Sequence, residues 1–215
     1  MRLGCLGCLT VLIGAALIAM SALVGVRMLQ EPELPVAAPT AADGVRAQQK
    51  IFEVVRRGAG RGGTSSEPVV LSERELNAFL SRHLAEAAEM PFAEVGLRLP
   101  GNGIAQFRGR LPLRQLLTEP PLAALAGLVP AGWLERPLWL RLTVRARLEP
   151  GAAQTHRRYL RLEVAEFGVG RQRLPAALLR LLLNPSTLRV LRWPVPDGIE
   201  AVTIERDRVV IRTAS

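Results

Sequence analysis

The residues best suited to acid–base, thiol or metal chemistry are few: two histidines, two cysteines and three aspartates in 215 residues. His83 falls in a helical pattern, and His156 in a loop beside Arg157 and Arg158, neither with an adjacent acid or nucleophile. A lone histidine on a helix is more often structural than catalytic, because catalysis needs a convergent partner. Cys5 and Cys8 have C-x-x-C spacing but supply only two ligands, and both sit in an apolar run without a thioredoxin-like context. Asp197 and Asp207 occupy turn-like settings, where a short carboxylate has a local backbone reason to be. Glu163 and Glu166 share a predicted strand, and their odd spacing is expected to point them to opposite faces. The glycines between Gly58 and Gly63 lack the Gly-Lys-Ser/Thr ending of a phosphate loop, and no H-E-x-x-H or G-x-S-x-G pattern occurs. The expectation is a protein that is not an enzyme, with no metal and no cofactor.

Charge is the stronger signal. The chain carries a formal +9 at pH 7, and Lys50 is its single lysine, so the basic character is arginine. In "PLWLRLTVRARLEP" the residues Leu138, Leu140, Leu142, Val144, Ala146 and Leu148 alternate with Trp139, Arg141, Thr143, Arg145 and Arg147. That period of two places Arg141, Arg145 and Arg147 on one strand face, with Arg161 expected across an antiparallel pair. Such a face is either solvated or rests on an anionic surface, where each basic residue adds about 1 kcal/mol.

The elements that must position these residues begin with a membrane anchor. Leu3 to Val26 contains no charged residue and lies between Arg2 and Arg27. As a helix it would span roughly 36 Å, enough for a hydrocarbon core of about 30 Å. A cleaved signal peptide, with "AMS" at Ala19 to Ser21 as its cleavage site, is the alternative. The positive-inside rule weakly favours an N-terminus in the cytoplasm and a C-terminal domain outside it. Nucleic acid is then not an expected partner, despite the charge.

Three segments are expected: residues 1–28 as the transmembrane anchor, 29–67 as a Pro/Ala- and Gly-rich linker, and 68–215 as an extracytoplasmic α+β domain. Within the linker Asp43 can cap a short helix over about 43–57. In the domain, Ser72 and Glu75 form a capping box that starts a helix at Glu73, with Leu76, Phe79, Leu80 and Leu84 as its buried stripe and Glu73 mostly outside it. Pro100-Gly101-Asn102-Gly103 divides a hairpin over about Ala93 to Leu113. Two long strands, an apolar helix from Ala176 to Leu183, and a closing hairpin through Glu205 to Arg208 follow. Val202, Ile204, Val209 and Ile211 are the core positions of that hairpin. Strands joined by turns, with few crossover helices, give an α+β class with an antiparallel sheet.

"VVLSERELNAFLSRHL" resembles the opening L-[ST]-x-x-E-L-N-x-x-L segment of YpmS-like membrane-anchored bacterial proteins. "GVGRQRLPAALLRLLL" resembles their later strand, Leu-Pro and helix, and "WPVPDGIEAVTIERDRVVI" their closing turn and hairpin, so the likeness covers most of Val69 to Ile211. Such proteins are similar to the tubular lipid-binding (TULIP-like) superfamily, in which a curved antiparallel sheet wraps a helix and encloses an apolar groove. The resemblance implies a single-pass protein of the bacterial inner membrane that binds or transfers lipid. Leu76, Phe79, Leu80 and Leu84 would face the sheet, and Leu178, Leu179 and Leu182 would approach the lipid tails. Anionic headgroups would meet Arg141, Arg145, Arg147 and Arg161. A structural or adaptor protein without lipid cargo is the alternative, and a hydrolase built around His83 or His156 is a third.

Overall fold

The computed structural model describes residues 3–58, 67–87, 92–117, 123–127, 129–149, 158–179, 191–196 and 198–213. The apolar N-terminal run forms one helix, α1 (Leu3–Leu29). Its Leu12–Leu29 window has a mean hydropathy of 2.1, so α1 is long and apolar enough to cross a membrane. A second helix, α2 (Ala41–Gly58), follows. Its N-terminal box differs from the expected one. Thr40 is the capping residue, taking the Asp43 N–H on its Oγ1 at 3.3 Å, while the Asp43 carboxylate accepts the Thr40 N–H at 2.9 Å and hydroxyl at 2.7 Å. The sequence placed this helix in a linker, yet its Val54 packs with Val69, Val195 and Ile199 in a core cluster.

The order then runs β1 (Val69–Ser72), α3 (Glu73–Ala87), β2 (Ala93–Gly101), β3 (Ile104–Pro112), three single-turn helices α4 (Leu113–Leu116), α5 (Ala123–Ala126) and α6 (Ala131–Leu134), β4 (Pro137–Glu149), β5 (Arg158–Val169), β6 (Gln172–Leu174), a 3₁₀ turn at Ala176–Leu178, β7 (Arg192–Val195), β8 (Ile199–Glu205) and β9 (Arg208–Thr213). The architecture is α+β, and every strand pairing among the described residues is antiparallel. The strands form two open sheets, a three-stranded one ordered β1-β9-β8 and a six-stranded one ordered β2-β3-β4-β5-β6 with β7 also on β5.

Both expected hairpins form. Asn102 and Gly103 carry φ of 55° and 73°, the left-handed pair that an Asn-Gly turn supplies at little steric cost. β4 presents the predicted apolar face inward: Leu138 and Leu140 pack with Leu111, Phe167, Val169 and Leu179, while Val144 joins Leu99, Ala105 and Ile204. Burying a side chain such as Phe167, 1% exposed, contributes about 1.5–3 kcal/mol.

Helix α3 seals the free edge of the larger sheet with side chains. Asn77, 1% exposed, donates to the Leu97 carbonyl at 2.8 Å and accepts the Leu97 N–H at 2.6 Å. Glu73, expected largely at the surface, is buried and accepts the Leu99 N–H at 2.7 Å. The Asp207 N–H donates to the Leu99 carbonyl at 2.9 Å. The outward polar groups of β2 at Leu97 and Leu99 are thereby satisfied without another strand, which removes a template for edge-to-edge pairing.

The predicted capping box is present: Glu75 N–H to Ser72 Oγ at 3.3 Å, Ser72 N–H to Glu75 Oε2 at 2.8 Å. Glu75 also holds Lys50 of α2, whose Nζ donates to both carboxylate oxygens at 2.8 and 2.9 Å and to the Val70 carbonyl at 2.7 Å. Burial opposes ionisation of Glu75. The Lys50 ammonium and the Ser72 N–H outweigh it and hold the carboxyl below its ordinary 4.5. An ammonium with three donors suits this compact site better than a planar guanidinium.

Candidate functional site

β5 has two neighbours along one edge. β7 pairs with Arg158 to Arg161, and β6 with Phe167 to Val169, so the stretch between them has no strand partner among the described residues. A cleft of about 890 Å³ opens there. Leu162, Val164, Ala176, Ala177, Leu179 and Leu191 give it an apolar wall, and Arg161, Arg192, Glu149 and Glu163 a charged mouth. The Leu162 N–H is bound by the Leu191 carbonyl at 2.8 Å, which ties the cleft's far wall to the sheet. The lining is mixed, an apolar wall beside four charged side chains, and the volume falls in the range of roughly 300–1,000 Å³ of small-molecule sites.

The outer face of the larger sheet is arginine-rich, as the alternation in β4 indicates. Arg147 lies directly opposite Arg161, and Arg161 directly opposite Arg192. A second row pairs Arg108 with Arg141. Around Trp139 the guanidinium groups of Arg108 and Arg110 stack at 5.1 and 5.9 Å from the ring centroid. Their outer nitrogens reach Glu31 at 2.9 Å and Glu94 at 2.6 Å.

Glu163 and Glu166 depart from the expected arrangement. Val144 pairs with Val164 but Thr143 pairs with Glu166, which leaves Ala165 as the extra residue of a bulge. The bulge resets the alternation, so Glu163 and Glu166 share the outer face with Arg145 and Thr143, their partners in register. Each lies within ion-pair reach of an arginine: Glu163 is 3.6 Å from Arg147, and Glu166 4.0 Å from Arg173.

The junction with α1 is built into this same sheet. The Arg171 N–H donates to the Arg27 carbonyl at 2.8 Å, and its guanidinium reaches the Glu31 carbonyl at 3.1 Å and the Glu33 carboxylate at 2.7 Å. Gly170 has φ of 57°, and a Cβ there would lie 2.4 Å from the Met28 carbonyl oxygen. Val36 sits over Gly96, and Leu34 is buried. The Pro-rich stretch after α1 is therefore docked along the domain, where the sequence suggested a spacer.

Of the predicted site residues, Leu76 packs against the cluster of Leu99, Ala105, Val144 and Ile204. Phe79 stacks on His83 with ring centroids 4.6 Å apart, and His83 Nε2 is 3.3 Å from Gln48 Nε2. Leu80 is half-buried. Helix α3 lies against α2, β2 and β1, and the Ala176–Leu178 turn against β5. Leu178 is half-buried, and Leu179 is 4% exposed, at once a core residue and a cleft residue. The Leu84 side chain, Leu182, His156 and the rest of the predicted helix beyond Leu179 lie outside the described residues. Arg141 is half-buried with a covered Nη2 lacking a hydrogen-bond partner, while Arg145, Arg147 and Arg161 are exposed. The sequence did not single out Arg192 or Leu191, and Leu162 and Val164 stood in it only as the apolar positions of a strand. The signal that could have found Arg192 is the alternation of "RWPV" as an edge strand with proline in it, a place where proline is tolerated.

No family model matches the chain, and no curated protein matches it.

Proposed function

We infer that this is a membrane-anchored, non-enzymatic envelope protein of the bacterial inner membrane, whose domain outside the cytoplasm takes the acyl part of a lipid into the cleft beside β5. The observation that carries this is the apolar wall of Leu162, Val164, Ala176, Ala177 and Leu179, opening past a charged mouth in a chain with a helix fit to cross a membrane. Acyl burial contributes roughly 25 cal/mol per Å² of apolar surface removed from water. Of the three leucines expected at the tails, Leu179 lines the cleft and is the tail-contacting residue of this proposal. Leu76, Phe79 and Leu80 of α3 are half-buried, and Leu76 packs with Leu99, Ala105, Val144 and Ile204 in the core away from the cleft. Arg141, Arg145, Arg147 and Arg161 turn the outer face toward anionic headgroups.

The test is photocrosslinking of the full chain in nanodiscs containing a phospholipid with a diazirine in its acyl chain, followed by peptide mapping. Labelling of peptides carrying Val164 or Leu179, reduced severalfold by Val164→Trp, supports the cleft. Labelling confined to Leu3–Leu29 refutes it.

A non-catalytic adaptor without lipid cargo has one observation in its favour: Val45, Phe52 and Val55 of α2 are 52%, 69% and 54% exposed. Affinity purification from membranes of the wild type and of Phe52→Ser separates this alternative, since only an adaptor loses a stoichiometric protein partner.

A further inference from the structure

Arginines directly opposite one another on adjacent strands repel, so a sheet that keeps such a row needs anions to neutralise it. The outer face carries one that runs up to the cleft mouth: Arg147 on β4, Arg161 on β5 and Arg192 on β7 stand in register on adjacent strands, and the last two line the mouth. With strands about 4.8 Å apart, the row extends over roughly 10 Å of backbone. Long side chains over that span can converge on one small anion.

The internal counter-charges fall short of the row. Arg161 holds Glu149 at 2.9 Å, and Arg147 reaches Glu163 only at 3.6 Å. Arg192 lies over the Tyr159 ring at 4.3 Å, and the described residues place no carboxylate beside it. Three arginines against two glutamates leave the row as a whole with one positive charge over. The side chains of Arg147 and Arg161 are 57% and 53% exposed, so their donors remain open to a ligand. Guanidinium groups bind phosphate oxygens through paired, charge-assisted hydrogen bonds, which a hydroxyl headgroup cannot match.

Building on the cleft reading, we propose that the Arg147–Arg161–Arg192 row is a phosphate site that selects the cleft's occupant, making it a phosphate-bearing lipid. The acyl part occupies the apolar wall at Leu162, Val164 and Leu179 while the phosphate sits between Arg161 and Arg192 at the mouth. The residual single charge matches a phosphodiester monoanion.

Titration calorimetry of the full chain in neutral detergent tests it with three probes: a short-chain phosphatidylglycerol, the matching short-chain diacylglycerol, and inorganic phosphate. The phospholipid is expected to bind at least tenfold more tightly than the diacylglycerol. In Arg161→Gln/Arg192→Gln that preference is expected to vanish, and Arg161→Lys to retain an intermediate preference. Equal wild-type affinity for phospholipid and diacylglycerol overturns the row as a headgroup reader while leaving the cleft standing. Absence of binding by either lipid overturns the cleft reading and this one with it. Inorganic phosphate binding as tightly as the phospholipid shows a free-phosphate site and overturns the lipid assignment. Unchanged far-ultraviolet circular dichroism guards against unfolding, and the single variant Arg192→Gln, expected to lose at least threefold in preference, replaces the double variant if that one unfolds.

Discussion

Replacing Asn77 with alanine should destabilise the domain more than its position on a helix suggests. The side chain is 1% exposed and bonds both the outward N–H and the outward C=O of Leu97 on the edge strand. Alanine leaves both groups buried without a partner, at about 1–3 kcal/mol each. Partial entry of water into the vacated space favours the lower half of that range, so the loss is about 3 kcal/mol. For a domain of this size each kcal/mol lowers Tm by roughly 2–4 °C, which gives a fall of about 6–12 °C. Asn77→Asp should fall further, since its carboxylate can accept from Leu97 N–H but cannot donate to the Leu97 carbonyl, and it adds a buried charge. Thermal unfolding of the full chain in detergent, followed by near-ultraviolet circular dichroism, reads these shifts. A melting temperature for Asn77→Ala within about 2 °C of the wild type would refute the reasoning, because the edge of β2 would then be solvated.

Three further outcomes follow from the same geometry. Glu75 and Asp43 titrate below their ordinary values of 4.5 and 3.8, Asp43 at about 2 through the Thr40 hydroxyl and N–H first and Arg46 after them. Because the folded-state values are depressed, their stabilisation is full above the ordinary values and is lost as pH falls through the folded ones. Tm should therefore drop between pH 4.5 and about 2, and Glu75→Gln should flatten the upper part of that slope while lowering Tm at pH 7. Gly170→Val combines a left-handed φ of 57° with a Cβ that meets the Met28 carbonyl oxygen at 2.4 Å. Amide hydrogen exchange at Arg171, whose N–H is bound to the Arg27 carbonyl, should quicken at least tenfold, and unchanged exchange would show that the end of α1 is not docked there. Deleting Ala165 joins Val164 to Glu166 opposite Val144 and Thr143, so the ladder closes without a bulge and each flanking side chain keeps its face; the variant should still melt cooperatively. Loss of the cooperative melt would contradict the register.

Much of the local architecture was legible in the residues. The Ser72/Glu75 box, the Asn102-Gly103 turn, the alternation of β4 and the closing hairpin each depend on neighbours within a few positions, and each formed where the spacing placed it. The arginine face was equally legible in β4, since a period of two assigns sides without knowledge of the partner strand. Its extent was not. β7 joins the face through pairing with β5 over some thirty residues of sequence, and nothing local in "RWPV" names that partner.

What the sequence determined by itself is therefore the set of elements, their inner and outer sides, and a helix fit for a membrane. Only tertiary structure decided which edges meet and what each exposed group finds opposite it. Ala165 bulges because the pairing of β4 with β5 demands it, and this turns Glu166 to the face of Glu163. Asn77 became a strand substitute because β2 was left as an edge. Lys50 met Glu75 because α2 packed on α3 and did not stay in a tether. The physical reason is the same in all three. Backbone hydrogen bonds and buried charges must find partners somewhere, and which partner is available depends on contacts distant in sequence.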